Sequence, residues 1–153
     1  MEILELIKGL SSTNNNYAYS CLQRLETICK DSNKVYAYFN ELSKLLQSAN
    51  SYQRARAFRL IATCAKWDKE GHIDKIINEL LACIVDDSPI CARQCICATP
   101  LLANSKPHLQ EHIASALSGI NPLKYKESMQ SLILKDIKYA IDTIACKSAK
   151  DTR

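Results

Sequence analysis

The sequence predicts an all-α fold, and three observations predict it. Glycine and proline are scarce, three and four in 153 residues. Apolar residues step by three or four along the whole chain, and nothing alternates as a strand would. Polar clusters punctuate the chain at SSTNNN (11–16), DSN (31–33), SANS (48–51), DKEG (68–71), DDSP (86–89), NSKP (104–107) and NP (121–122). Each supplies Ser, Asn, Asp or Pro, the residues that cap helices or open their first turn.

Eight helices follow, at 2–10, 16–30, 34–48, 51–67, 72–85, 88–104, 107–120 and 123–147. The first is short and amphipathic, MEILELIKGL, with Ile3, Leu6 and Leu10 on one face. The second starts after a run of asparagines. The third, fifth and seventh repeat the stripe of the first. Ile3, Phe39, Ile77 and Ile113 correspond at offsets of 36, 38 and 36. Leu6, Leu42, Leu80 and Ala116 keep those offsets, as do Leu10, Leu46, Ile84 and Ile120. Val35, Ile73 and Leu109 extend the last three by a turn. One apolar stripe per helix, recurring near every 37 residues, marks stacked helical pairs. The fourth helix opens with NSYQRAR (50–56) and the sixth with DSPICAR (87–93), aligned at an offset of 37. Pro100 falls inside the sixth helix, removes a backbone donor and frees the carbonyl of Ile96, so a bend is expected there. The eighth, 123–147, closes the fourth pair.

DSPICAR and, more loosely, NSYQRAR resemble the HEAT repeat, a helical pair whose turn carries Asp and whose second helix starts with Val-Arg. Ala92 stands in the place of Val, and Asn50 in the place of Asp. The first pair has Ala18-Tyr19 at that place, and the fourth has no Arg there. The motif is therefore good in two units, while the periodicity covers the chain. The resemblance implies one domain over 1–153, a short right-handed α-solenoid of about four helical pairs, a HEAT-like superhelix. Its units are 1–30, 34–67, 72–104 and 107–147. Armadillo-like stacking is the alternative. The second helix of each pair would line the concave side.

Charge divides with that assignment. The second helices carry twelve Lys and Arg against four Asp and Glu, and the first helices four against six. The net charge of +4 thus gathers on the predicted concave side. Arg54, Arg56, Arg59 and Arg93 are the candidate binding residues there, because guanidinium groups clamp phosphate or carboxylate in a bidentate way. The competing reading is internal ion pairing. The HEAT resemblance implies that the motif Arg bonds to the Asp turn of a neighbour. Trp67, the only tryptophan, either packs across a repeat junction or offers a ring at the edge of the basic face. Asp68 beside it suits a turn or cap. HEAT-like alkylpurine DNA glycosylases place a Trp and an Asp in such a groove, over a longer chain.

Eight cysteines fall in apolar-periodic segments, and the expectation is reduced, buried thiols acting as small apolar side chains. Cys91 and Cys95 share a helical face, with Cys97 turned away. The C-x-x-C pairs of zinc sites are absent, as are phosphate loops and nucleophile elbows. HLQEH (108–112) matches the inverted zincin pattern, but Leu109 and Ile113 of the repeat stripe flank it. It reads as the first turn and a half of the seventh helix. No metal, cofactor, catalytic residue or small-molecule substrate is inferred. The N-terminus lacks the basic start and long apolar stretch of a secretory signal, and no run reaches membrane-span length, so a cytoplasmic location is expected. The predicted role is a non-catalytic module for a protein partner, an acidic one suiting the basic face. Nucleic-acid binding through that face is the alternative, and a minimal glycosylase a more distant one.

Overall fold

The computed structural model describes the backbone of residues 2–151 and the side chains of residues 2–147. Residues 1, 152 and 153 of the predicted domain lie outside the described residues. The described chain is all-helical, with no strand. Its helices are α1 (Ile3–Gly9), α2 (Asn15–Asp31), α3 (Phe39–Leu45), α4 (Ser51–Cys64), α5 (His72–Lys75), α6 (Ile77–Ala82), α7 (Pro89–Ser105), α8 (Gln110–Ser118) and α9 (Glu127–Asp151). Short 3-10 turns at Tyr36–Tyr38, Ala65–Trp67, Cys83–Val85, Pro107–Leu109 and Pro122–Lys124 lead into or out of them.

Three of the predicted breaks cap α-helices through side chains. Asn14 accepts from the N–H of Tyr17, Asn50 from Gln53 and Ser88 from Cys91, with Pro89 opening α7. Each cap satisfies an orphan donor of the first turn, worth about 1 kcal/mol. The NP cluster acts one step earlier. Asn121 accepts from Leu123 and opens the 3-10 turn Pro122–Lys124, and α9 begins only at Glu127.

The helix predicted over 72–85 is divided. At Ile76 (φ −112°, ψ 18°) the backbone leaves helical geometry, and its N–H goes to Ile73 three residues back. Such a tightened turn separates α5 from α6. The odd-numbered predicted helices at 34–48 and 107–120 likewise start as 3-10 turns before becoming α3 and α8. Through Pro100, by contrast, α7 runs on as one helix. The Ile96 carbonyl that proline leaves without a donor takes the Thr99 hydroxyl at 2.7 Å instead.

Packing follows the stripes. Every residue of the four aligned apolar positions is buried in the core or packs against it, including Ile3, Ile77, Leu109 and Ala116 at its margin. The second helices form a row, with α2 against α4, α4 against α7 and α7 against α9. The first helices flank it, α1 on α2, α3 on α4 and α8 between α7 and α9. α4 sits inside the row and buries Phe58, Leu60 and Ile61 completely. Its Ala55, Ala57 and Ala62 are also buried, small enough to let neighbours approach. Six of the eight cysteines are buried as expected. Cys97 and Cys146 are exposed, because each falls on the face of its helix opposite the buried stripe.

α1 approaches α2 at Gly9. A Cβ there would lie 2.4 Å from Cys21 Sγ and 3.2 Å from a Tyr17 ring carbon. The thiol is buried and has one torsion with which to yield. Gly9→Ala is therefore expected to destabilise the fold by about 1–3 kcal/mol, despite the better helix propensity of alanine. Gly119 has ordinary space (3.5 Å to the nearest backbone oxygen) and negative φ. Gly119→Ala is expected to be neutral or to stabilise by up to about 1 kcal/mol. Urea unfolding of both variants checks the contrast.

Candidate functional site

A groove of about 520 Å³ crosses the row of second helices. Glu26 of α2 and Asp136 of α9 stand at its two sides, and Arg59 and Thr63 of α4 lie between them. The floor on α7 is largely apolar, with Ile90, Ala98 and Leu101 beside Gln94 and Cys97. Ile90 and Leu101 are 48% and 43% exposed, high values for large apolar side chains on a packed helix. A second hollow of about 410 Å³ shares Glu26, Thr63 and Leu101 and continues toward Lys30 and Lys66.

The four predicted arginines are all engaged within the protein. Arg54 grips Asp86 with two bonds, Nε to Oδ2 at 2.7 Å and a terminal nitrogen to Oδ1 at 3.0 Å. It also donates to the Ser48 carbonyl at 2.8 Å. Arg56 is 6% exposed and has no carboxylate partner. It donates to the Leu10 carbonyl and to Asn15 Oδ1, both at 2.8 Å. Leu10 caps the C-terminal end of α1, where the helix dipole favours a cation. Burial lowers the Arg56 pKa. Arg59 pairs with Glu26 at 3.1 Å, and Arg93 with Asp136 at 2.6 Å. Hence the groove brings Arg59 and Arg93 together but meets each with an acid. The larger hollow has two cations against two anions, so the expected strongly basic platform is not present at its floor. Arg54, Arg56 and Trp67 do not line it.

Trp67 bridges the stretch after α4 to the end of α2. Its indole N–H donates to the Cys29 carbonyl at 2.7 Å, and Lys66 bonds the Lys30 carbonyl. Both acceptors belong to the last turn of α2, whose carbonyls have no partner within the helix. Lys66 Nζ also lies 5.1 Å from the Trp67 ring centre. AKW thus closes the end of the preceding second helix.

Asp68 is a cap, as its position suggests, and more. Its side chain is fully buried and accepts from the N–H groups of His72 and Ile73 at 2.9 Å each. The Tyr36 hydroxyl bonds one oxygen, and Lys106 Nζ reaches the other at 2.7 Å. Lys106 also donates to the Asp68 carbonyl at 2.9 Å. Burial pushes the Asp68 pKa up, but Lys106, Tyr36 and the Ile73 N–H outweigh it and hold the carboxyl below its ordinary value. A carboxylate so surrounded has no oxygen aimed at solvent. Asp86 is depressed likewise: burial raises it, and Arg54 with the Ser88 N–H wins. Tyr125, whose hydroxyl donates to the Asp86 carbonyl at 2.6 Å, is pushed up to about 12 chiefly by burial.

In HLQEH, His108, Glu111 and His112 are all exposed. His108 Nε2 lies 3.1 Å from the Asp74 carboxylate of α5. Among the described residues no group of three or more His, Cys, Asp or Glu is placed to hold a metal. No described helix is long and apolar enough to cross a membrane. Glu26, Asp136 and the α7 floor were not singled out by sequence reasoning. The available signal was the run Ile90, Gln94, Cys97, Ala98, Leu101, an edge at helical spacing beside the buried Cys91, Cys95 and Leu102. No protein-family model, curated protein or solved structure matches the chain.

Asp68→Asn would remove the close carboxylate of the buried Lys106 and leave it only the more distant Asp74, at 3.6 Å. A loss of about 3–5 kcal/mol is expected, measured by chemical unfolding at neutral pH. Both depressed carboxyls contribute stability above the unfolded value of about 4 and lose it as pH falls through their folded values. The thermal midpoint should therefore drop on acidification below about pH 5, and Asp86→Asn should flatten that slope. Tyr125 acts in the opposite sense: its contribution is complete below about pH 10 and is lost as pH rises toward 12.

Proposed function

We propose that the chain is a non-catalytic helical-repeat module, a short right-handed HEAT-like solenoid of four helical pairs, that holds a segment of a protein partner in the groove across its second helices. The repeat reading draws support from the bonding pattern. Among the described residues, the side-chain hydrogen bonds between distant parts of the chain span 32 to 46 residues. That is one repeat, so each unit is tied to the next and to no unit beyond it, as in solenoids.

The observation that carries the binding reading is the groove floor. Ile90, Ala98 and Leu101 offer apolar area between two closed ion pairs, Arg59–Glu26 and Arg93–Asp136. An apolar centre with a satisfied polar rim suits a protein segment. A polyanion would instead need cations free of partners, and the two arginines nearest the floor are occupied. The nucleic-acid reading has its own support, the exposed rings of Tyr19 and Tyr52 beside Arg59 and Arg56, at 5.6 and 5.9 Å.

The test compares partner capture by the natural chain with Leu101→Asp, Ile90→Asp and Leu123→Asp. Leu123 is 75% exposed and lies away from the groove. A protein partner retained by Leu123→Asp but lost with both groove variants is the expected result. The same partner held by all three contradicts the proposal. So does binding of RNA or DNA that weakens about 10³–10⁵-fold between about 50 and 200 mM salt.

A further inference from the structure

Two thiols from different helices meet in the core. Cys29, in the last turns of α2, and Cys64, the last residue of α4, lie with their Sγ atoms 3.0 Å apart. Both residues have no solvent exposure. The contact is a thiol hydrogen bond with either sulfur as donor, and it shares one direction of approach with a covalent bond between the two atoms. A disulfide has its sulfurs about 2.05 Å apart, so closure asks for a movement of only about 1 Å. Cys83, Cys91 and Cys95 also neighbour one another through sulfur contacts, but two of them lie on the same helix. Only the Cys29–Cys64 contact is a close approach between two of the second helices.

We propose that Cys29 and Cys64 are a dithiol site that a small hydroperoxide converts into a disulfide joining α2 to α4. The step balances with hydrogen peroxide as oxidant. One sulfur attacks a peroxide oxygen, the O–O bond breaks, and a sulfenic acid forms as water leaves. The second sulfur then attacks the sulfenic sulfur and expels a second water. Both thiol protons depart in the two waters, and the two electrons lost by sulfur reduce the peroxide. The oxidant must reach a buried pair, so the reaction runs through local opening and is slower than at an exposed thiol.

The neighbours give the link a structural consequence. Lys30 and Thr63, each adjacent in sequence to one of the pair, line the second hollow with Lys66. A bond between residues 29 and 64 fixes the spacing of α2 and α4 beneath that end of the groove. Trp67, bonded to the Cys29 carbonyl, is placed to report it as the chain's only tryptophan. This inference stands on the thiol geometry and does not depend on what the groove binds.

The experiment uses the folded chain with Cys97→Ser and Cys146→Ser, which removes the two exposed thiols. After incubation with hydrogen peroxide, the protein is unfolded, alkylated and mapped by mass spectrometry. The expected product is a peptide pair linked through Cys29 and Cys64, lighter by two hydrogens and restored by dithiothreitol. The thermal midpoint should rise by several degrees, since the link closes a loop of 35 residues, and tryptophan emission should change with it. Cys29→Ser should abolish the emission change. If that variant does not fold, the peptide map of the chain carrying both cysteines decides alone. The proposal is overturned if Cys29 and Cys64 are still recovered as free thiols after exposure continued at least a hundred-fold longer than the time that fully oxidises Cys97 and Cys146 in the natural chain. Links confined to Cys83, Cys91 or Cys95 overturn it equally.

Discussion

A carboxylate in a protein interior must be answered by donors, and Asp68 collects them from three stretches of chain. Tyr36 comes from the turn that leads into α3, the His72 and Ile73 amides from the start of α5, and Lys106 from the residue after α7. The three stretches lie more than 30 residues apart in sequence, yet all converge on one side chain with no solvent exposure. The register of the second and third helical pairs is therefore fixed by a charge that cannot be left alone. Sliding either pair by one turn would strand both Asp68 and Lys106, and the cost of a lone buried charge is large against the net stability of a domain. Asp86 is held in a related way, its carboxylate by Arg54 and the Ser88 N–H and its backbone carbonyl by Tyr125.

These junctions share a second chemical theme, the helix end. The last carbonyls of a helix have no partner of their own. Here the following unit supplies one. Trp67 and Lys66 close α2, Arg56 closes α1, and Lys124 with Tyr125 closes the turn after α6. Most of those donors carry positive charge, which the helix dipole favours at that end. Three of the twelve Lys and Arg on the second helices, Arg56, Lys66 and Lys124, are used in this way. Arg54, Arg59 and Arg93, which looked like a platform for a ligand, are paired with Asp86, Glu26 and Asp136 of other elements. What remains open on that side is a groove whose floor is apolar and whose arginines are already paired.

The helices were legible because two independent signals coincided, the apolar stripe and the capping cluster. Asn14, Asn50 and Ser88 sit in clusters named from sequence and cap the α-helices that follow. The aligned stripe residues all reach the core. The break at Ile76 was not legible, since Ile73, Ile76 and Ile77 satisfy a helical stripe as well as a tightened turn. Partner choice was less legible still. Motif alignment favours Arg56 or Arg93 for an Asp turn, but the three-dimensional partner of Asp86 is Arg54, two positions away from Arg56. Helical position alone does not decide this, because a long guanidinium side chain reaches several neighbours. The exposure of Cys97 was foreseeable from its helical face, and that of Cys146 required knowing which face of α9 met α7.

If each helical pair is held by its immediate neighbours, stability should be graded along the chain. Native-state hydrogen exchange of the backbone amides measures this most directly. α4 and α7, each with a second helix on both sides, should open only at the highest free energies. α1 and the far end of α9, with one neighbour or none beyond, should open at lower ones. Equal opening free energies for the slowest amides of α1, α4, α7 and α9, all with the same dependence on denaturant, would contradict the neighbour-by-neighbour account.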